Sequence, residues 1–176
     1  MALNLKNKLK EHFFRNPTGK FRVRTLERLL KMPLPSVIRY CKELEKELLI
    51  KEEIISGARF YSADRSSDKF TFEKRIFNLR LIHNSGIIKR INMEYSYPLL
   101  ILFGSFSRGE DVESSDIDIF IETSENKMID LRSYEKIFGK SLEVHKYKKL
   151  TSIKNKQLAN NIINGAVLSG FMDIFR

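Results

Sequence analysis

A single cysteine, Cys41, occurs in 176 residues. An intrachain disulfide is therefore excluded, as is a zinc centre built on thiolates. With so little cysteine, a reducing cytoplasm is the expected compartment. No apolar run approaches the ~18 residues needed to cross a bilayer. The opening MALNLKNKLK alternates apolar and basic residues, so it lacks the unbroken apolar core of a secretory signal. No membrane partner is expected.

Hydrophobic residues make up 42% of the chain and charged residues 31%, the balance of a globular protein rather than a disordered one. The formal charge of +10 is unevenly spread. Most of the excess lies before residue 65 and after residue 135. Between them the chain turns acidic around Glu110, Asp111, Glu113, Asp116, Asp118 and Glu122. Basic flanks point to a polyanionic partner such as nucleic acid. An acidic centre points to a metal instead.

Leu3, Leu5, Leu9, Phe13 and Phe14 fall at helical spacing. A second helix is expected from about Thr25 to Lys31, with Thr25 as its cap, and a third opening at Pro35, where a missing N–H costs nothing. Leu49–Ile55 and Ala58–Ser62, joined by Ser56-Gly57, read as a hairpin. The segment TLERLLKMPLPSVIRYCKELEKELLIKEEIISGARFYSA resembles a winged helix-turn-helix. That resemblance implies DNA contact through Ser36, Arg39 and Lys42 of the third helix, with Arg59 of the wing reaching backbone phosphate. The polar ADRSSD stretch marks a domain boundary. It separates residues 1–65 from 66–176, and residues 66–86 form a connecting helix.

Pro98–Phe103 is a continuous apolar run, expected as a strand buried on both faces. It ends in Gly104-Ser105, small residues that let backbone approach a ligand closely. A helix starting there would turn free N–H groups toward phosphate oxygens. Asp116-Ile-Asp-Ile-Phe-Ile121 reads as the next strand. Residues two apart on a strand share a face, so Asp116 and Asp118 face one way while Ile117, Ile119 and Ile121 pack the other. Two neighbouring carboxylates repel unless a cation lies between them. Mg²⁺ suits that pair, because it takes one or two carboxylates and completes its shell with water and substrate phosphates. Helices are expected at Phe70–His83, Ile87–Met93, Lys127–Phe138 and about Lys154–Phe171, with a strand at Ser141–Tyr147.

Gly104, Ser105, Arg108, Gly109, Ser115, Asp116 and Asp118 together resemble the nucleotidyltransferase motif of the DNA polymerase beta superfamily. In size the module is similar to the minimal nucleotidyltransferases of archaea and bacteria. The resemblance implies an α+β chain: a winged helix domain, then a small nucleotidyltransferase domain whose mixed sheet is flanked by helices. It also implies nucleotide binding at Gly104, Ser105, Arg108 and Ser115, with two Mg²⁺ ions and ATP or another NTP as substrate. A third carboxylate is implied on a later strand, where Glu143 stands in place of the family's usual aspartate. Asp116, Asp118 and Glu143 would then be both metal ligands and catalytic residues. Phe106 also departs from the family, which has a basic or small residue there. His145, two residues past Glu143, is placed to tune the site.

The function implied is metal-dependent transfer of a nucleoside monophosphate to a hydroxyl of a protein, an RNA or a small molecule. By resemblance the chain would be the antitoxin of a pair with a HEPN-domain protein, and a homodimer is compatible with the winged helix. The alternative is a DNA-binding transcriptional regulator whose nucleotidyltransferase domain only binds nucleotide or a partner.

Overall fold

A computed structural model of the chain describes residues 2–173, and of residues 2–4 the backbone alone. The side chain of Leu3, assigned above to the first apolar stripe, lies outside the described residues. By its internal contacts the chain forms two compact units, Met1–Phe77 and Asn78–Arg176. Among the described residues, no helix is long and apolar enough to cross a membrane.

The first unit opens with α1 (Ala2–Arg15), β1 (Lys20–Phe21), α2 (Val23–Leu30) and α3 (Leu34–Lys46). A hairpin of β2 (Ile50–Ile55) and β3 (Ala58–Ala63) follows. Leu9 and Phe13 of α1, Leu26 of α2 and Val37, Cys41 and Leu44 of α3 are buried in one core with Ile50 and Tyr61 of the hairpin. Each such aliphatic side chain contributes ~1.5–3 kcal/mol on leaving water. Ser56 (φ 48°) and Gly57 (φ 73°) turn the hairpin, and their left-handed conformations match the twist of a two-residue connection. Two expectations are corrected here. Helix α2 starts at Val23 with Arg22 in the cap position, because the N–H groups of both Thr25 and Leu26 already donate to the Arg22 carbonyl. Thr25 therefore lies inside the helix and does not cap it. The hairpin also gains a third strand, since β1 pairs antiparallel with β3 to give the order β1-β3-β2.

The unit boundary falls within α4 (Asp68–Ser85). The second unit continues with α5 (Ile87–Glu94), β4 (Leu100–Phe103), α6 (Gly104–Arg108) and β5 (Ile117–Glu122). It ends with α7 (Arg132–Phe138), β6 (Leu142–Tyr147), α8 (Lys156–Ile163) and β7 (Ala166–Ser169). The sheet order is β6-β5-β4-β7, mixed, with β5 and β6 parallel and the other pairs antiparallel. A parallel pair needs a crossover, and α7 lies in it. The fold is α+β, as expected.

Both faces of this sheet are covered. Leu100, Leu102, Ile117, Ile119 and Ile121 pack on one side with Ile87 and Ile91 of α5. Ile101, Phe103 and Phe120 pack on the other with Leu150, Ile153 and Ile162. Helix α7 begins at Arg132, not at Lys127. The reason is Asp130, whose carboxylate accepts the Arg132 N–H at 3.0 Å and grips its guanidinium. The long final helix is also corrected: α8 stops at Ile163, and Ala166–Ser169 forms an edge strand on β4. Gly165 makes that reversal possible. A Cβ there would lie 2.5 Å from the Leu102 carbonyl oxygen and 2.6 Å from Ile101 Cγ2.

Candidate active site

Strand register builds the centre of the site. Phe103, the last residue of β4, is opposite Asp118 of β5, and Asp118 is opposite Glu143 of β6. Register partners share a sheet face, so Asp118 and Glu143 lie side by side. His145 stands opposite Phe120 on the same face. Asp118 is half-buried and Glu143 exposed. Burial is the main cause that raises the Asp118 carboxyl above its ordinary range, and the charges of Glu143 and Asp116 raise it further. His145 and Arg108 act in the opposite direction.

The chain turns at Gly104 with φ +74°, and a Cβ on it would lie 2.1 Å from Asp118 Oδ2. Glycine is needed there twice over, for the left-handed backbone and for the carboxylate pressed against it. Helix α6 starts at that residue, with Ser107 Oγ donating to the Gly104 carbonyl at 3.0 Å. Ser105 is half-buried, and its carbonyl accepts the Glu110 N–H at 3.0 Å. Arg108 is exposed, with Nε 2.7 Å from a Glu110 carboxylate oxygen. Gly109 ends the helix in the left-handed conformation, φ 77°.

Asp116 is exposed and directly precedes the first residue of β5. The Ser115 hydroxyl is committed locally, accepting the Val112 N–H at 2.9 Å. Sequence reasoning passed over the groups that fix this loop. Lys140 Nζ donates to the carbonyls of Val112, Glu113 (3.3 Å) and Ser115 (3.2 Å), and lies 3.4 Å from the Asp111 carboxylate. Asp111 is buried and accepts from Asn78 Nδ2 at 2.8 Å, while the same amide donates to the Phe106 carbonyl at 2.8 Å. A polar residue in the middle of a helix, a lysine just after another helix and an acid in a charged run carry no sequence signal for such a network.

Asp118, Glu143 and His145 each offer a ligand atom, and these atoms lie within 4.8 Å of one another. His145 Nε2 is 3.4 Å from Glu143 Oε1 and 3.9 Å from Asp118 Oδ1. Two donors bonded to one ion at ~2.1 Å stand at most about 4.2 Å apart, so both separations are compatible with a shared divalent cation. The residues fit a metal. Without one, Glu143 brings a second negative charge beside Asp118, whose own charge burial already disfavours.

The expected nucleic-acid residues lie in the first unit. Ser36 is half-buried on α3 and Lys42 is exposed. The Arg39 guanidinium stacks on the Tyr40 ring at 4.6 Å, donates to its hydroxyl at 2.8 Å and lies 3.7 Å from Glu43. Arg59 on β3 pairs with Glu52 at 3.0 Å. The hairpin ends in exposed Ile54 and Ile55 rather than in basic residues.

Residues 86–170 match the family described as Polymerase beta, Nucleotidyltransferase. Two proteins of Methanocaldococcus jannaschii, each named a putative protein adenylyltransferase, are similar to this chain. One is 36% identical over 63 residues, covering 32% of this chain and 63% of its own length. The other is 32% identical over 68 residues, covering 36% of this chain and 73% of its own length. No solved structure matches. The matched region holds the Gly104 turn, the Asp118–Glu143 pair and all four strands of the mixed sheet. The chain belongs to the polymerase beta nucleotidyltransferase family.

Proposed function

We propose that the chain transfers the adenylyl group of ATP to a hydroxyl of a protein. The observation that carries this reading is the convergence of Asp118 and Glu143 beside the Gly104 turn, with Asp116 next to them. The names of the two archaeal relatives support protein as the acceptor and adenylyl as the group moved.

In this reading the triphosphate lies along Gly104 and Ser105, where the first N–H groups of α6 are not used within the helix. Arg108, once released from Glu110, adds positive charge near the phosphates, and Ser115 holds the Val112–Ser115 turn that presents Asp116. Asp116, Asp118 and Glu143 are the residues that would hold Mg²⁺, which when bound neutralises phosphate charge and lowers the pKa of a coordinated hydroxyl. The acceptor hydroxyl passes its proton to a carboxylate of the site, its oxygen bonds to the α-phosphorus, the bond from that phosphorus to the α–β bridging oxygen breaks, and pyrophosphate leaves. Glu143 is one methylene longer than aspartate, and its exposed position on edge strand β6 gives the side chain room to adjust. A HEPN-domain partner in a toxin–antitoxin pair is the acceptor consistent with the minimal module.

The test uses ATP labelled at the α- or the γ-phosphate, Mg²⁺ and protein extract of the source cell. Label from the α position alone should enter protein, and Asp116→Ala or Asp118→Ala should lower it by ~100-fold or more. Equal transfer by wild type and variants would defeat the assignment.

A second reading is carried by charge. Residues 1–77 hold 18 Lys and Arg against 10 Asp and Glu, so +8 of the net +10 lies in the first unit. Three helices followed by a hairpin, with that surplus, suit a winged helix on DNA. The chain would then be a DNA-binding regulator, or an enzyme delivered to its own operator.

A further inference from the structure

His145 Nε2 is enclosed by protein and has no hydrogen-bond partner among the described residues. It nevertheless lies 3.4 Å from Glu143 and 3.9 Å from Asp118. These facts agree, since Asp118 lies beyond hydrogen-bond reach and Glu143, though within it, is out of line with the nitrogen. A buried nitrogen without a partner costs ~1–3 kcal/mol. When the other ring nitrogen carries the proton, the Nε2 lone pair is free to bond a cation held by the two carboxylates.

Backbone geometry makes this convergence systematic. Glu143 and His145 are two residues apart on β6 and so share a face, and Asp118 is the register partner of Glu143. The Phe103 ring meets the imidazole edge-on, with centroids 5.2 Å apart, and limits how the imidazole can turn. We infer that Asp118, Glu143 and His145 form one carboxylate–imidazole site that takes a divalent transition ion in preference to Mg²⁺. The inference rests on the reading of this cluster as the metal centre, and it adds a nitrogen ligand and a different ion preference.

The preference follows from ligand chemistry. Mg²⁺ calls for oxygen donors in near-octahedral array and keeps much of its water. An imidazole ligand favours ions from later in the first transition series, whose affinities rise from Mn²⁺ through Co²⁺ to Cu²⁺. Asp116, exposed and outside the cluster, keeps the oxygen-only character that suits Mg²⁺.

The experiment titrates chelator-stripped full-length protein with Co²⁺ or Mg²⁺, without nucleotide, by calorimetry and visible absorption. Wild type should bind Co²⁺ about tenfold or more tightly than Mg²⁺, and His145→Ala should lose at least about tenfold in Co²⁺ affinity with little change for Mg²⁺. His145→Gln, which keeps the side-chain bulk, should behave the same way and guards against misfolding. The chain has 3 histidines, so a ¹⁵N-imidazole spectrum can also show whether Zn²⁺ shifts the signal that His145→Gln removes. Unchanged Co²⁺ affinity in the variants, an equal loss for both ions, or an unshifted His145 signal would overturn the inference. Label transfer from ATP is scored separately: transfer with Mg²⁺ that ignores His145 leaves the proposed function standing without this site. A His145-dependent Co²⁺ site without any transfer does the reverse.

Discussion

A methyl group on Gly104 would meet Asp118 Oδ2 at 2.1 Å on a backbone with φ +74°. The left-handed conformation alone costs an L-residue about 1–2 kcal/mol. The Asp118 backbone is held in the ladder between Phe103 and Glu143, so the carboxylate can retreat only by turning about its side-chain bonds. Gly104→Ala should therefore lower stability by about 1–2 kcal/mol and, separately, displace the carboxylate from the cluster. Urea unfolding measures the first effect and metal titration of the folded variant the second. A variant that binds metal as wild type does would show that Asp118 is not fixed by this glycine. Gly57 and Gly139 make a useful contrast, since both have positive φ but open space where a Cβ would be. Alanine there should cost only the backbone term.

At the scale of elements, the acidic loop between α6 and β5 is held by groups that come from outside it. Lys140 follows the end of α7, and Asn78 comes from α4. The Lys140 side chain is 10% exposed and that of its partner Asp111 3%, so removing the cation leaves a buried carboxylate that keeps Asn78 but loses this charge partner. Breaking such a pair costs about 3 kcal/mol or more. Lys140→Met, which keeps the aliphatic length, should lower the urea midpoint accordingly and reduce nucleotidyl transfer, because Ser115 and Asp116 lose their anchor. An unchanged midpoint would mean that the loop is held by its own turn.

The same region marks what a sequence makes legible. The buried strand Leu100–Phe103 and the shared face of Ile117, Ile119 and Ile121 follow from local rules and are readable, whereas the helix at Gly104 enters only as a condition. The Asp111–Asn78–Lys140 network joins residues far apart in the chain, and no periodicity announces it. Helix α7 was overextended because Asp130 stops it through a side-chain bond, not through a residue type that breaks helices. The final strand was hidden because Val167 and Leu168 continue the helical spacing of Leu158 and Ile162. Only the tight approach of Gly165 to β4 decides against a helix there.

For the whole molecule, charge divides more sharply than fold. The second unit, which holds the Asp118–Glu143 pair, carries +2, while residues 1–77 carry +8. A surplus of that size gives salt-dependent binding to duplex DNA if the first unit is a winged helix, with a slope of about −0.9 per phosphate neutralised. The side chains sharpen which residues matter. Arg39 and Arg59 already have Glu43 and Glu52 beside them, and giving up those partners offsets part of any gain from phosphate. Lys42 is exposed on α3 and has no ion-pair partner among the described residues. Lys42→Ala should reduce the salt slope for duplex binding by about one. Arg39→Ala and Arg59→Ala should each do less, and Asp116→Ala should leave DNA affinity unchanged. Fluorescence anisotropy over a series of salt concentrations measures all four. If no duplex shows a salt slope, the first unit does not use DNA as its partner. If the slope is present but Lys42→Ala leaves it intact, the contact surface lies elsewhere, with Arg22, Arg24 and Arg28 around α2 the next exposed cations to replace.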